Sequence, residues 1–139
     1  RDSSTSRGLG DVYKRQRYVQ IYFEEAHMIF PPNSGNVIDV YSRFAKEGAK
    51  FNIGIVYSTQ SPSTVNHDLL AQTENFFIGH LSSEREVNML ATVQYAFRGM
   101  EEDIMRSRTA GFMRVLTASH RFPIPIQAHR YNGQSLLME

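Results

Sequence analysis

The chain has 139 residues, 41% of them hydrophobic and 12% aromatic, with no cysteine and a formal net charge of +1. That length fits one domain or part of one, and the apolar content suffices for an ordinary core. The composition excludes a disulfide framework, a thiolate nucleophile and a cysteine-based zinc site, and the charge carries no global signal for nucleic acid.

Residues 1–16, RDSSTSRGLGDVYKRQ, have no hydrophobic period and resemble a translated adapter or vector sequence, so they are set aside as a non-native or disordered tail. Removing the four basic and two acidic residues of that segment leaves 11 against 12, a net charge of −1. The credible chain then opens near Arg17, inside a longer gene, and is expected to be a fragment. No apolar run reaches the roughly 20 residues that span a bilayer, and no secretory leader is expected. A cytoplasmic location is expected.

Residues 18–23, YVQIYF, have the length and aromatic, β-branched content of a strand. They run straight into Glu24-Glu25-Ala26-His27. Pro31, Pro32 and Asn33-Ser34-Gly35 mark a loop. In 36–47, Val37, Ile38, Tyr41, Phe44 and Ala45 recur at helical spacing, and Gly48 is placed to cap that helix. Ile53 to Tyr57 is almost continuously apolar, which predicts a strand buried on both faces in a parallel sheet. It ends in Ser58-Thr59-Gln60-Ser61. A short helix is expected over about 63–72 and a strand over 74–81.

Ser83 followed by Glu86 predicts a capping box opening a helix through Val87, Leu90, Ala91 and Gln94. A second helical piece is expected over 100–107. AGFMRVLT and RFPIPIQAHRY read as two closing strands, the last confined to an edge by Pro123 and Pro125. Alternation of strands and helices predicts an α/β fold with a mostly parallel sheet, flanking helices and a hairpin-like final pair. Residues 132–139 read as a C-terminal tail.

In an open parallel sheet, ligands bind beyond the carboxyl ends of the strands. Two strand ends here are polar: the acidic pair after 18–23, and the Ser-Thr-Gln run after 53–57. Many strands end in acids simply because they surface. The alternative is chemical: an apolar strand tipped with two carboxylates has the shape of a Walker B element. One carboxylate would support Mg²⁺ through water, the second would polarise the attacking water, and Gln60 would sense a γ-phosphate. Ser58 and Thr59 lack the surroundings of a nucleophile and fit strand-end hydrogen bonding better, Ser58 above all. The five histidines lack zinc-site spacing.

The succession FEEAH, FAKEGAKFNIGIVYSTQSPS and NFFIGHLSSEREVNML resembles the HerA/FtsK branch of P-loop ATPases, and the HerA-like translocases most of all. The likeness runs from residue 18 to about 130. It implies the C-terminal half of a RecA-like P-loop NTPase core over 17–131, a homo-oligomeric ring, typically a hexamer, and ATP-driven movement along double-stranded DNA. A nuclease partner is possible on the same grounds. By position, Glu24 matches the Mg²⁺-supporting acid, Glu25 the catalytic base and Gln60 the γ-phosphate sensor. Thr59 lies beside that sensor as a nucleotide contact.

Two positions depart from the family. The first acid is Glu24 rather than Asp, and the arginine that follows Glu-Gly is replaced by Ala49. Lys50 stands next to Ala49 as a point charge without the arginine fork. Arg106 and Arg108, out of the C-terminal arginines 98, 106, 108, 114, 121 and 130, are the candidates to act on a nucleotide across a subunit interface. A solvated surface is the plainer role for any one of them.

No GxxxxGK[ST] occurs, so the phosphate-cradling loop is expected upstream, and the isolated chain is not expected to bind ATP well. A conjugative or type IV secretion pump ATPase would carry the same motifs. A DEAH-type helicase is disfavoured by Ser-Thr-Gln where Ser-Ala-Thr is usual. A non-catalytic α/β interaction module is the remaining reading.

Overall fold

The structure is a computed structural model that describes residues 17–32, 43 and 47–130. The chain divides into two compact units, one up to Gln72 and one from Thr73 onward.

The first unit is built on two parallel strands, β1 (Val19–Phe23) and β2 (Ile53–Tyr57). Val19 pairs with Ile53 and Phe23 with Tyr57, so neither strand is offset against the other. Between them lie the short helix α1 (Ala26–Ile29) and a 3₁₀ turn, Gly48–Phe51. The helix expected over 36–47 lies largely outside the described residues. Gly48 does not end it in a left-handed conformation. The chain winds on through the 3₁₀ turn, and Asn52, at φ 56°, makes the left-handed exit before β2. Glycine is required at 48 for another reason: a Cβ there would sit 2.9 Å from the carbonyl oxygen of Ile53.

β2 was expected to be buried on both faces. Its residues are instead only partly covered, and Val56 is exposed. β1 is its one strand partner among the described residues, so the faces of this pair carry little of the cover a wide parallel sheet receives. Among the described residues, the buried apolar side chains of the unit are Ala26, Phe30, Val65, Leu69 and Leu70. Phe30 meets Phe23 edge to face, with centroids 5.2 Å apart. The helix expected over 63–72 is split. A 3₁₀ turn, Pro62–Thr64, precedes α2 (His67–Ala71), because the Asn66 side chain accepts from the amides of Asp68 and Leu69 and starts a fresh helix there.

The second unit holds a three-stranded antiparallel sheet in the order β3 (Phe76–Ile78), β4 (Phe112–Leu116), β5 (Ile124–Gln127). Among the described residues the parallel pairing is that of β1 with β2, and the closing hairpin expected from the sequence is β4–β5. β3 is shorter than expected and stops before Gly79, which has no side chain to pack on a pleated surface. In β5, the Ala128 amide donates to the Gly111 carbonyl, 2.8 Å away. Antiparallel residues alternate between inward and outward bonding, so Ile126 and Ile124 face β4 and Pro125 falls at a position whose N–H would point outward. The proline thus sits on the edge where its missing donor removes no ladder bond.

Helices α3 (Glu84–Val93) and α4 (Glu101–Arg106) cover this sheet's core. Val87, Leu90 and Ala91, at i, i+3 and i+4, give α3 its buried stripe. The core gathers Phe76, Val87, Phe97, Ile104 and Leu116, with Phe76 and Phe97 edge to face at 5.8 Å. Each such side chain contributes roughly 1.5–3 kcal/mol when buried. Ser83 does occupy the N-cap of α3, but its side chain makes no capping bond; its backbone carbonyl accepts from Glu86 and Val87. At the other end, Arg98 Nε donates to the carbonyl of Ala91 at 3.2 Å.

Inside this unit lies a charge that the sequence placed on the surface. Arg114 is only 1% exposed. Its Nε donates to Asp103 Oδ2 at 2.8 Å, and its Nη2 donates to the Asp103 carbonyl at 3.0 Å and to Ser107 Oγ at 2.7 Å. The guanidinium thereby ties α4, at Asp103 and at the Ser107 that follows it, to the middle of β4. Asp103→Ala strands that buried cation and is expected to destabilise the chain by roughly 2 kcal/mol in denaturant unfolding. Glu102→Ala, which breaks the exposed pair between Glu102 and Arg106, should cost at most about 0.5 kcal/mol.

Candidate functional site

Parallel pairing puts the carboxyl ends of β1 and β2 on one edge. Backbone hydrogen bonds hold the two following loops together there. The Ser58 amide donates to the Phe23 carbonyl at 2.9 Å, and the Ser58 carbonyl accepts from the Ala26 amide at 2.8 Å. In an unbroken parallel ladder the second of these donors would be the amide of Glu25, since a strand residue bonds the residues before and after its partner. The donor is one residue late. The acidic pair therefore contains one extra residue opposite Ser58, which makes it a bulge.

Glu25 absorbs the insertion. Its backbone is left-handed, φ 50° and ψ 54°, at the N-cap of α1. A left-handed conformation costs a non-glycine residue roughly 1–2 kcal/mol. Such strain persists where surrounding bonds enforce it, and it concentrates at functional sites. Here the enforcing bonds are the two to Ser58, together with the Asn66 amide donating to the Phe30 carbonyl at 2.7 Å beyond α1.

The side chains at this edge are accessible. Glu24, Glu25 and Gln60 are all exposed, and Thr59 is half-buried. Thr59 Oγ1 accepts from the Ser61 amide at 3.1 Å, so its hydroxyl shapes the loop that carries Gln60. Beside the acids, His27 Nδ1 lies 3.3 Å from Glu25 Oε2 and makes no hydrogen bond. The imidazole is thus close enough to limit where the Glu25 carboxylate can go. Ser58 contributes through its backbone, in keeping with the strand-end role expected of it.

Lys50 and Ala49 are elsewhere. They lie in the 3₁₀ turn that precedes β2, whereas Gln60 follows that strand. Five strand residues span about 16 Å, so Lys50 stands at the opposite rim from the acids of its own chain. Arg106 and Arg108 belong to the second unit and are exposed, Arg106 in an i, i+4 pair with Glu102 at 2.5 Å. The first unit thus brings together Glu24, Glu25, Thr59 and Gln60, and separates them from Lys50. Among the described residues, no group of three or more His, Asp or Glu side chains is arranged to hold a metal alone. Two accessible carboxylates fit the chemistry of Mg²⁺, which takes few protein ligands and keeps much of its water.

No family model matches the chain. It is 29% identical over 116 residues to a probable helicase of Methanocaldococcus jannaschii, covering 81% of this chain and 22% of that protein. It is 32% identical over 69 residues to the DNA double-strand break repair helicase HerA of Pyrococcus furiosus, covering 49% of this chain and 12% of that one. A probable HerA of M. jannaschii is 24% identical over 119 residues, 83% of this chain and 23% of the relative. The chain therefore spans less than a quarter of the length of these proteins.

Among solved structures, the genome packaging NTPase B204 of Sulfolobus turreted icosahedral virus 2 superposes with a TM-score of 0.68 in complex with AMPPCP and 0.65 in complex with ATP-gammaS. Both are 12% identical; the match covers 85% and 81% of this chain and 56% and 55% of the other. The chain carries part of the P-loop NTPase fold, and its sequence is similar to a segment of the HerA-type helicases.

Proposed function

We propose that this chain is a segment of an ATP-driven motor that moves along double-stranded DNA as a homo-oligomeric ring, a hexamer in its simplest form, in the cytoplasm. The observation that carries this reading is the shared edge: a strained acidic bulge and a glutamine-bearing loop held side by side by Ser58. The similarity to helicases supports the DNA-directed half of it, and the nucleotide complexes of the packaging NTPase support the ATP-directed half. A nuclease partner remains part of the same proposal.

In this reading Glu25 accepts a proton from water as the water oxygen bonds to the γ-phosphorus and the bond to the β,γ-bridging oxygen breaks. Glu24 would hold Mg²⁺ through water, and the bound ion would supply charge neutralisation at the phosphate. Gln60 hydrogen-bonds the γ-phosphate before cleavage and loses that partner afterwards, which gives the Thr59–Ser61 loop two states to report. Thr59 keeps that loop in shape. The left-handed backbone at Glu25 fixes where the base sits before ATP arrives, so less ordering is left for the reaction itself. Lys50, on the far rim, and the exposed Arg106 and Arg108 are assigned to a nucleotide held by a neighbouring copy, where a positive charge stabilises the transferring phosphoryl group. Glu102 gives up Arg106 at little cost, because a fully solvated pair contributes little.

In the full-length protein, Glu25→Gln is expected to lower phosphate release by about 10²–10⁴-fold while a fluorescent ATP analogue still binds; unimpaired turnover would remove Glu25 from the role of base. Gln60→Ala should lower turnover with ATP affinity kept. The left-handed strain at Glu25 is tested by stability. Glu25→Gly should leave stability unchanged or raise it by up to about 1 kcal/mol, and Glu25→Val should cost about 2 kcal/mol, both read by denaturant unfolding. A glycine variant markedly less stable than the parent contradicts the strain.

A further inference from the structure

The second unit carries an open surface pocket of about 420 Å³. It uses no residue of the β1–β2 edge. Its wall includes Glu74, Gln94, Tyr95, Thr117, His120 and Arg121. Three features give it a chemical direction.

The first is an aromatic platform. Tyr95 is 74% exposed, and the Arg98 guanidinium lies over its ring, 4.9 Å from the centroid. One ring face is thus occupied by a cation, and the ring also lines the pocket. A tyrosine backed by arginine is a stacking surface for a planar base.

The second is a polar turn. Thr117 Oγ1, Ser119 Oγ and His120 Nδ1 lie 2.9, 2.9 and 3.0 Å from one another. A closed ring of three such contacts uses three protons, one from each hydroxyl and one on Nδ1. Nδ1 is then committed, and Nε2, which has no partner among the described residues, is the atom left to meet a ligand. Arg121 is exposed next to it and makes no ion pair among the described residues. The Arg121 guanidinium on that wall suits a phosphate, and His120 Nε2, the bare nitrogen of this tautomer, is placed to accept from a base amine. The cluster does not suit nucleophilic catalysis, because no carboxylate backs His120 among its hydrogen bonds.

The third is an edge reader. Glu74 and Gln94 supply an acceptor carboxylate and an amide, the groups that pair with the exocyclic amine and ring nitrogens of adenine or cytosine.

We propose that this pocket binds one nucleotide unit of a single nucleic-acid strand, the base stacked on Tyr95 with its exocyclic amine donating to His120 Nε2, and its phosphate held by Arg121. The site stands whether or not the β1–β2 edge handles ATP, so the two readings fail separately. In fluorescence anisotropy at low salt, a labelled oligodeoxyadenylate is expected to bind the chain, and Tyr95→Ala and His120→Ala each weaken it about tenfold. Tyr95→Phe, which keeps the ring, and Arg85→Ala, which removes an exposed guanidinium of α3, should stay within about twofold of the parent. In the unaltered protein, titration with the same strand should move the imidazole NMR resonances of His120 and leave those of His67 in place. If dAMP alone moves them as far, the ligand is a free nucleotide; if only the strand does, it is the polymer. His120 resonances unmoved by either, or strand binding that Tyr95→Ala leaves intact, would overturn the proposal.

Discussion

Ser58 is the hinge of the first unit's chemistry. Its amide and its carbonyl grip the two ends of a loop one residue too long for a regular ladder. Everything proposed for that edge follows from this mismatch. Because the pairing of β1 with β2 fixes both ends, the extra residue cannot relax along the strand. It is forced out at Glu25, which takes up the left-handed conformation that other side chains avoid. The same two bonds bring the loop bearing Thr59 and Gln60 alongside. One backbone unit thus couples the position of the acids to the position of the glutamine, and a change in either loop is felt by the other.

The second unit is organised around a different constraint. Arg114 lies in the middle strand of an antiparallel sheet, where an uncompensated charge would be very costly. Asp103 of α4 and the Ser107 that follows it compensate it, so the helix cannot slide along the sheet without leaving a buried cation unpaired. Its hydrophobic cluster supplies most of the stabilisation, and the ion pair sets the register of helix on strand.

Much of this was legible in the sequence. The strand before the acids, the apolar strand before Ser58, the stripe Val87–Leu90–Ala91 and the edge placement of Pro125 follow from periodicity and from the missing proline donor, and these survive any tertiary context. The bulge was not legible. Glutamate has no local preference for a left-handed backbone, and the insertion exists only relative to a partner strand 34 residues on, as Phe23 pairs with Tyr57. The burial of Arg114 was hidden for a similar reason, since its partner lies eleven residues earlier and on another element. The Ser83 capping box was legible but not formed, because the serine backbone, not its hydroxyl, meets the first turn of α3. Lys50 looked close to the site in sequence, but a parallel strand carries the chain from one rim of the sheet to the other.

β5 closes its sheet with a proline at an outward-bonding position. A passing extended peptide that tries to add itself there finds a row of acceptors interrupted where a donor should be. The sheet therefore does not template its own growth from that side. For a protein proposed to gather many copies of itself into a closed ring at high local concentration, such a blunt margin keeps copies from joining strand to strand and leaves assembly to the surfaces meant for it.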